Sequence, residues 1–349
     1  SGPPHMTRSS FLIYHRRIAL VFAPLLLLQA LTGTTLLFKA PLIRLLDPAG
    51  MTRQSDAGSA AVSAMLAEAE RHSPGFRVTR LYLPATPQDT AFAQMSGSSG
   101  QAHFASVDPG TAQVLAAGSV WRFPLEAALR IHYQLMDSTT GLAIVLANGL
   151  ALALMAGTGL GFWWPGRKRI AKSLTIRKSA PARIRLRQWH RSAGVTASLL
   201  LLFSATTGVL LAAPDLADAL SDASTPAPLS PRTAQQIDQA VALGRAQFPR
   251  AALRDIRFPR ADRIDVELAA PERNPRAVHV VKVRLSDGQV TSALPASDNP
   301  VLWMKVLSLH TGDSFGLIGH LLLLTEALVL IFAAISGPIM WWRNRPKHR

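Results

Sequence analysis

Five of the ten histidines in this 349-residue sequence, His15, His132, His190, His310 and His320, stand at the mouths of long apolar segments. In "YHRRIALVFAPLLLLQALTGTTLLF" (14–38), His15 precedes Gly33 by 18 positions. In "LRQWHRSAGVTASLLLLFSATTGVLLA" (186–212), His190 precedes Gly208 by the same 18. Eighteen residues make about five helical turns and about 27 Å, so each histidine shares a helix face with its glycine. Neutral imidazoles projecting from facing helices are natural axial ligands for haem iron, and a low-spin haem b takes one on each side of its flat ring. His15 and His190 open the first and third apolar segments, while His132 and His310 precede the second and fourth. The four therefore form two pairs at opposite faces of a membrane.

The same positions admit other chemistry. A zinc or copper site is the rival metal reading, but no carboxylate or thiol stands at the usual spacing, and a closed tetrahedral site needs more ligands per face. A purely structural reading has each imidazole bonded to a carbonyl or a lipid headgroup. The glycines also have two readings. Gly33 and Gly208 supply a side-chain-free patch for a ring bound near the outer face, and Gly159 and Gly337 do so near the cytoplasmic face. Alternatively all four let helices pack closely. Both readings stay open.

The elements that must position these residues are membrane helices. Apolar residues make up 48% of the chain, and the mean hydropathy is positive. Four windows, about 17–38, 142–164, 192–213 and 317–342, are each long enough to cross a hydrocarbon core of about 30 Å. "SGPPHM" (1–6, with His5) reads as a cloning remnant. Residues 7–17, the loop 165–191 and the tail 343–349 (with His348) hold 17 of the 37 basic residues and no acidic ones. That asymmetry puts both termini in the cytoplasm. It also accounts for the net charge of +16 without nucleic acid as a partner. Cysteine is absent, which excludes disulfides, thiolate clusters and covalently attached haem.

The chain reads as an internal duplication. His15 recurs as His190 at an offset of 175, "SVDPGTAQVL" (106–115) as "KVRLSDGQVT" (282–291) at 176, and "LRIHY" (129–133) as "LSLHT" (307–311) at 178. "GTGLGFWWP" (157–165) recurs as "ISGPIMWWR" (335–343), also at 178. Each large loop begins with a helical pattern ("AAVSAMLAEAERHS"; "RTAQQIDQAVALGRAQF"). Alternating strand-like runs follow, joined at "DPG" and "SDGQ" turns. The expected fold class is a membrane protein: a four-helix transmembrane bundle with two extracytoplasmic α+β modules. The expected boundaries are 7–38 for the N-terminus and first span, 39–137 for the first module and 138–164 for the second span. They continue with 165–188 for a basic loop, 189–213 for the third span, 214–314 for the second module, 315–342 for the fourth span and 343–349 for the tail. His72, His103 and His279 fall in the modules and read as ordinary surface or strand residues. The Trp163-Trp164 and Trp341-Trp342 pairs read as interfacial anchors.

"WHRSAGV", "LHTGDSFGLIGH" and the two Trp-Trp pairs resemble the PepSY-associated transmembrane family, over essentially the whole chain. Within it the sequence is most similar to FoxB-type inner-membrane ferric-siderophore reductases. The resemblance implies PepSY-like modules and two haem b groups per chain, with His15 and His190 serving the cytoplasmic side and His132 and His310 the periplasmic side. It also implies a ferric siderophore as substrate and the bacterial inner membrane as location. His320 aligns with Leu142, so the repeat does not require it, yet it lies nearer the hydrocarbon edge. It is an alternative outer ligand, or a partner for a haem propionate. Glu326 aligns with Asn148 and is an intramembrane acid, suited to proton transfer with a quinol or to a polar pair with Asn148.

The cytoplasmic segments are too short for a nicotinamide or flavin domain and carry no glycine fingerprint. The electron donor is thus expected to be a membrane quinol or a separate reductase. The modules show no catalytic constellation. The second functional reading is accordingly a non-catalytic scaffold or regulator that binds a periplasmic partner. Siderophore transport without redox chemistry ranks below both, because Glu326 and Asn148 are the only polar features at the midplane.

Overall fold

The computed structural model describes residues 8–56, 58–221 and 231–343. The expected cloning remnant with His5, and the end of the basic tail with His348, lie outside the described residues. In chain order come α1 (Arg8–Leu37), α2 (Lys39–Leu46), α3 (Pro48–Met51), α4 (Val62–His72), β1 (Phe76–Tyr82), β2 (Ala91–Gly97), β3 (Ala102–Val107), β4 (Val114–Gly118), α5 (Pro124–Gln134) and α6 (Thr139–Trp163). Then follow α7 (Ile170–Leu174), α8 (Ala182–Leu220), α9 (Ala234–Gln247), β5 (Leu253–Arg260), β6 (Arg263–Ala269), β7 (Val278–Arg284), β8 (Val290–Leu294), α10 (Leu302–His310) and α11 (Gly316–Arg343).

Two compact units result. The helical one takes residues up to Leu37, Ala128–Ser221 and Leu309 onward. Its helices α1, α6, α8 and α11 are long and apolar enough to cross a membrane. They form a closed ring in which α1 and α8 each pack against both α6 and α11. Ala156, Ala197 and Leu201 form part of the α6–α8 seam, with Val329 of α11 against them. Small residues let such helices approach closely where lipid supplies no hydrophobic drive. The third helix outruns its expected span of 192–213 and continues through Pro214 to Leu220. The unit also claims the end of α5 and His310, which the sequence reading assigned to the modules.

The second unit, Phe38–Ala127 with Asp222–Ser308, departs from the expectation of two separate modules. Its eight strands form one sheet in the order β4-β3-β2-β1-β5-β6-β7-β8. The join is the antiparallel pairing of Arg80, Leu81 and Tyr82 with Arg257, Ile256 and Asp255. Unpaired strand edges are a liability, and joining the two four-stranded halves removes one edge from each. Nothing in the alternation of a single loop reveals that the partner edge comes from the other loop.

One face of this sheet carries Val78, Leu81, Ile256, Val266 and Leu268, each fully buried together with residues of α4 and α9. Burying an aliphatic side chain of this size contributes about 1.5–3 kcal/mol. The "DPG" turn forms as expected between β3 and β4. Burial alone would raise the carboxyl of Asp108, but amides of Gln54, Gly110, Thr111 and Ser55 hold it below the usual carboxylate range. At α9 Thr233 and Gln236 close a capping box, each bonding the other's backbone amide.

Because strand side chains alternate, the neighbours of the core residues fall on the opposite face. Arg80, Asp255, Arg257 and Glu267 gather there in a buried ion cluster. Arg80 Nε donates to Asp255 at 2.8 Å, and Arg257 Nε lies 3.0 Å from Glu267. Asp255 and Glu267 are direct cross-strand partners. Burial and the neighbouring Asp255 push the Glu267 carboxyl up to about 7.

Candidate functional site

The helical unit brings four histidines to four glycines. A β-carbon on Gly33 of α1 would stand 3.1 Å from Cε1 of His132, and one on Gly208 of α8 would stand 3.4 Å from Cε1 of His310. Gly159 of α6 meets His15 at 3.4 Å, and Gly337 of α11 meets His190 at 3.6 Å. Each imidazole thus lies against a helix backbone at a glycine: at Gly33 a β-carbon would crowd the ring, and at the other three it would stand in ordinary van der Waals contact with it. The sequence reading gave these glycines to a porphyrin face or to helix packing. In the structure they admit the imidazoles themselves.

Every one of the four rings is held by the same nitrogen. His132 Nδ1 bonds Thr32 Oγ1 at 3.0 Å and the Gln29 carbonyl at 3.1 Å. His310 Nδ1 bonds Thr207 Oγ1 at 2.9 Å. His15 Nδ1 bonds the Met155 carbonyl at 3.0 Å, with Thr158 Oγ1 at 3.4 Å, and His190 Nδ1 bonds Ser336 Oγ at 2.7 Å. Among the described residues none of the four Nε2 atoms makes a hydrogen bond. An imidazole that donates from Nδ1 presents a lone pair at Nε2, and this is the arrangement found when histidine ligates a metal.

The four lie in two groups. His132 and His310 have ring centres 6.4 Å apart, tilted by 46°. His15 and His190 lie within electrostatic reach of one another. His15 and Gly33 sit near opposite ends of α1, about 27 Å apart along the helix, so the two groups occupy opposite ends of the bundle.

Short helices bring His132 and His310 inward. From sequence these two stand farther out than His320, but both belong to the helical unit, at the ends of α5 and α10. The Gln134 carbonyl packs against Gly141 of α6, and the Gly312 carbonyl against Gly319 of α11, each at a contact that leaves no room for a β-carbon. Leu135 and Met136, directly after α5, take positive φ values of 49° and 66°. This conformation costs non-glycine residues about 1–3 kcal/mol and persists only where packing imposes it. The corresponding bend after α10 uses Gly312, at φ 78°. Gly141, Gly319 and the hydroxyl residues went unremarked in the sequence reading. The signal for the hydroxyls was present: Thr32-Gly33, Thr158-Gly159, Thr207-Gly208 and Ser336-Gly337 are all Ser/Thr–Gly dipeptides inside apolar segments.

His320 stands apart from these groups. Its Nε2 lies 3.0 Å from Asp313 Oδ1, and its side chain is 40% exposed. Of the two outer candidates, the structure puts His310 beside His132. Glu326 is buried, as expected of a functional or structural intramembrane acid, but its partner is Ser204, which donates to Oε2 at 2.9 Å. The expected polar pair with Asn148 does not form; Asn148 Oδ1 is buried with no hydrogen bond among the described residues. Trp163 does more than anchor: its indole N–H donates to Ser173 at 3.1 Å and ties the basic loop to α6. Among the described residues no three His, Cys, Asp or Glu side chains gather as a metal-binding cluster. The histidines offer ligands in twos, which does not suit a closed tetrahedral ion.

A ring of four membrane-crossing helices carrying paired inward imidazoles, with an antiparallel sheet built from its two long loops, defines a class of multi-pass membrane protein with an α+β module. The model of the PepSY-associated TM region matches residues 12–344, and the chain belongs to that family. No curated protein matches the chain.

Proposed function

We propose that this chain is a di-haem b oxidoreductase of the bacterial inner membrane that reduces ferric siderophore outside the cytoplasm and so releases its iron. The observation that carries this reading is the pairing of imidazoles whose Nδ1 atoms are engaged and whose Nε2 atoms make no hydrogen bond among the described residues. The ring centres of His132 and His310 are 6.4 Å apart, near enough for the two to hold one iron between them. His132 and His310 would hold one haem, and His15 and His190 the other. When bound, haem supplies a one-electron couple at each end of the bundle. The chain's own contribution is to orient the four imidazoles, keep them neutral in an apolar bundle and exclude competing ligands.

The siderophore acceptor, the outward direction and the inner membrane rest on the family resemblance and on the charge asymmetry of the loops. The internal duplication belongs to the same proposal, supported by the parallel order of elements in the two halves. A membrane quinol or a separate reductase is the donor. The receiving ion would pass from Fe(III) to Fe(II), a softer and less charged cation that a hard-oxygen chelator holds weakly. A non-catalytic scaffold would use the joined sheet as a docking platform. It gives no reason for four imidazoles held at Nδ1 inside the bundle.

A pyridine haemochrome assay on the chain purified after haem-sufficient expression tests the reading, with two haem b per chain as the expected value. A colourless product overturns it. Anaerobic addition of a ferric hydroxamate to the dithionite-reduced chain, freed of excess dithionite, then separates reductase from scaffold, because only a reductase is reoxidised.

A further inference from the structure

We infer that the four dipeptides Thr32-Gly33, Thr158-Gly159, Thr207-Gly208 and Ser336-Gly337 are seats that hold the histidines for ligation at Nε2. The glycine makes room for the ring, and the threonine hydroxyls act as positioning residues that select the Nδ1–H tautomer, unaided at His310 and beside a backbone carbonyl at His132 and His15. The inference rests on the haem reading for its purpose, but not for its geometry.

A hydroxyl has one proton and two lone pairs. Thr207 Oγ1 donates its proton within its own helix, to the carbonyls of Phe203 at 2.9 Å and Ser204 at 3.1 Å. What remains for His310 Nδ1 is a lone pair, so the ring nitrogen must be the donor. Thr32 repeats this: its proton goes to Leu28 at 2.8 Å and Gln29 at 3.2 Å, leaving a lone pair for His132. At Thr158 the proton goes to Leu154 at 2.6 Å, and His15 Nδ1 also meets the Met155 carbonyl, which can only accept. Back-bonding to the preceding turn satisfies a Thr hydroxyl in an apolar helix without any outside partner. The histidine N–H is thus an additional donor to a hydroxyl whose proton is already committed. Ser336 is the exception, since its bond to His190 is its sole hydrogen bond among the described residues. That seat does not dictate the tautomer.

Seats and histidines recur together. Thr32 and Thr207 are 175 positions apart, as are His15 and His190; Thr158 and Ser336 are 178 apart, as are His132 and His310. A helix-packing role for the small residues accounts for the glycines but not for a hydroxyl always preceding them and always meeting Nδ1.

The test uses the full chain in detergent, labelled with 15N at histidine and freed of haem, with His310 assigned by comparison with His310→Asn. The expected ring shifts are a protonated Nδ1 and a bare Nε2 at His310 and His132. Thr207→Val keeps the branched shape but removes the acceptor. It should return His310 to a mixture containing the Nε2–H form, leave the other three histidines unchanged as a check on folding, and be reversed by Thr207→Ser. In the haem-loaded chain the same change should weaken haem retention at that site by about 10–100-fold, the usual cost of losing a partner behind a metal ligand. Unchanged His310 ring shifts in Thr207→Val overturn the inference, even if the wild-type chain holds two haems. If the wild-type chain takes up no haem but the tautomer still switches, the seat stands and the haem reading fails. Should Thr207→Val prove unfolded, Thr207→Ala read at His310 decides the matter in the same way; His132 is no substitute, because the Gln29 carbonyl also accepts from its Nδ1.

Discussion

A β-carbon on Gly33 would come within 3.1 Å of Cε1 of His132, although the two residues are 99 positions apart. This is the tightest of the four histidine–glycine contacts, and Gly337 with His190, at 3.6 Å, is the loosest. The gradient predicts a graded response. Gly33→Ala should push His132 off its bond with Thr32 and cost most of one low-spin haem signal. Gly337→Ala should keep both signals, because 3.6 Å is ordinary van der Waals contact. Electron paramagnetic resonance of the two variants side by side checks this, and equal effects would contradict it.

The di-haem proposal can be tested at the ligand that faces His132. His310→Ala should remove one haem's low-spin spectrum and leave the other intact. His320→Ala should leave both, because its ring is bonded to Asp313 and partly exposed. The reverse result would place the ligand on α11 and refute the pairing of His132 with His310.

The straps that hold α5 and α10 make a prediction about stability. Gly141→Ala and Gly319→Ala each place a methyl against a backbone carbonyl that cannot rotate away. Overpacking of this kind typically costs about 1–3 kcal/mol. Each variant should melt at lower temperature in detergent and lose occupancy of the His132/His310 site before the His15/His190 site. A wild-type melting curve would show that the turns have room to relax.

Glu267 supplies a pH dependence. Its carboxyl is raised to about 7 in the fold from an ordinary value of 4.5. Between these values the native chain binds more protons than the unfolded one, so stability falls as pH rises through about 4.5 to 7. Glu267→Gln mimics the protonated form. It should raise the melting temperature at pH 8 and leave it nearly unchanged at pH 4, below the ordinary value. A gain that is equal at both pH values would rule out this source.

Ser204→Ala tests the buried acid of α11. Glu326 would lose its hydrogen bond while staying in an apolar bundle, a loss of about 1–3 kcal/mol. Ser204→Ala combined with Glu326→Leu should recover most of that cost, as measured by thermal unfolding. Failure to recover would mean that Glu326 has a structural role beyond this pair.

Much of the molecule is legible in its sequence. The four spans follow from apolar length, which is a local property of the chain, and the histidine–glycine phasing follows from the helical period. Helices α4 and α9 and the hairpins at "DPG" and "SDGQ" were legible for the same reason. The seats were partly legible, since Ser/Thr–Gly recurs in all four spans, but nothing local marks those hydroxyls as partners of a distant ring.

What lay beyond the sequence were contacts between residues remote in the chain. Which glycine receives which imidazole depends on hydrogen bonds spanning 100, 103, 143 and 146 positions. The union of two expected modules into one sheet rests on Arg80 meeting Arg257, and the partner of Glu326 proved to be Ser204 rather than Asn148. Hydrophobic length and periodicity specify which elements form and which faces they bury. They do not specify which neighbour meets each face, because that choice depends on the packing of all the elements together, and here a few carbonyls crossing at glycines and a shared strand edge made it.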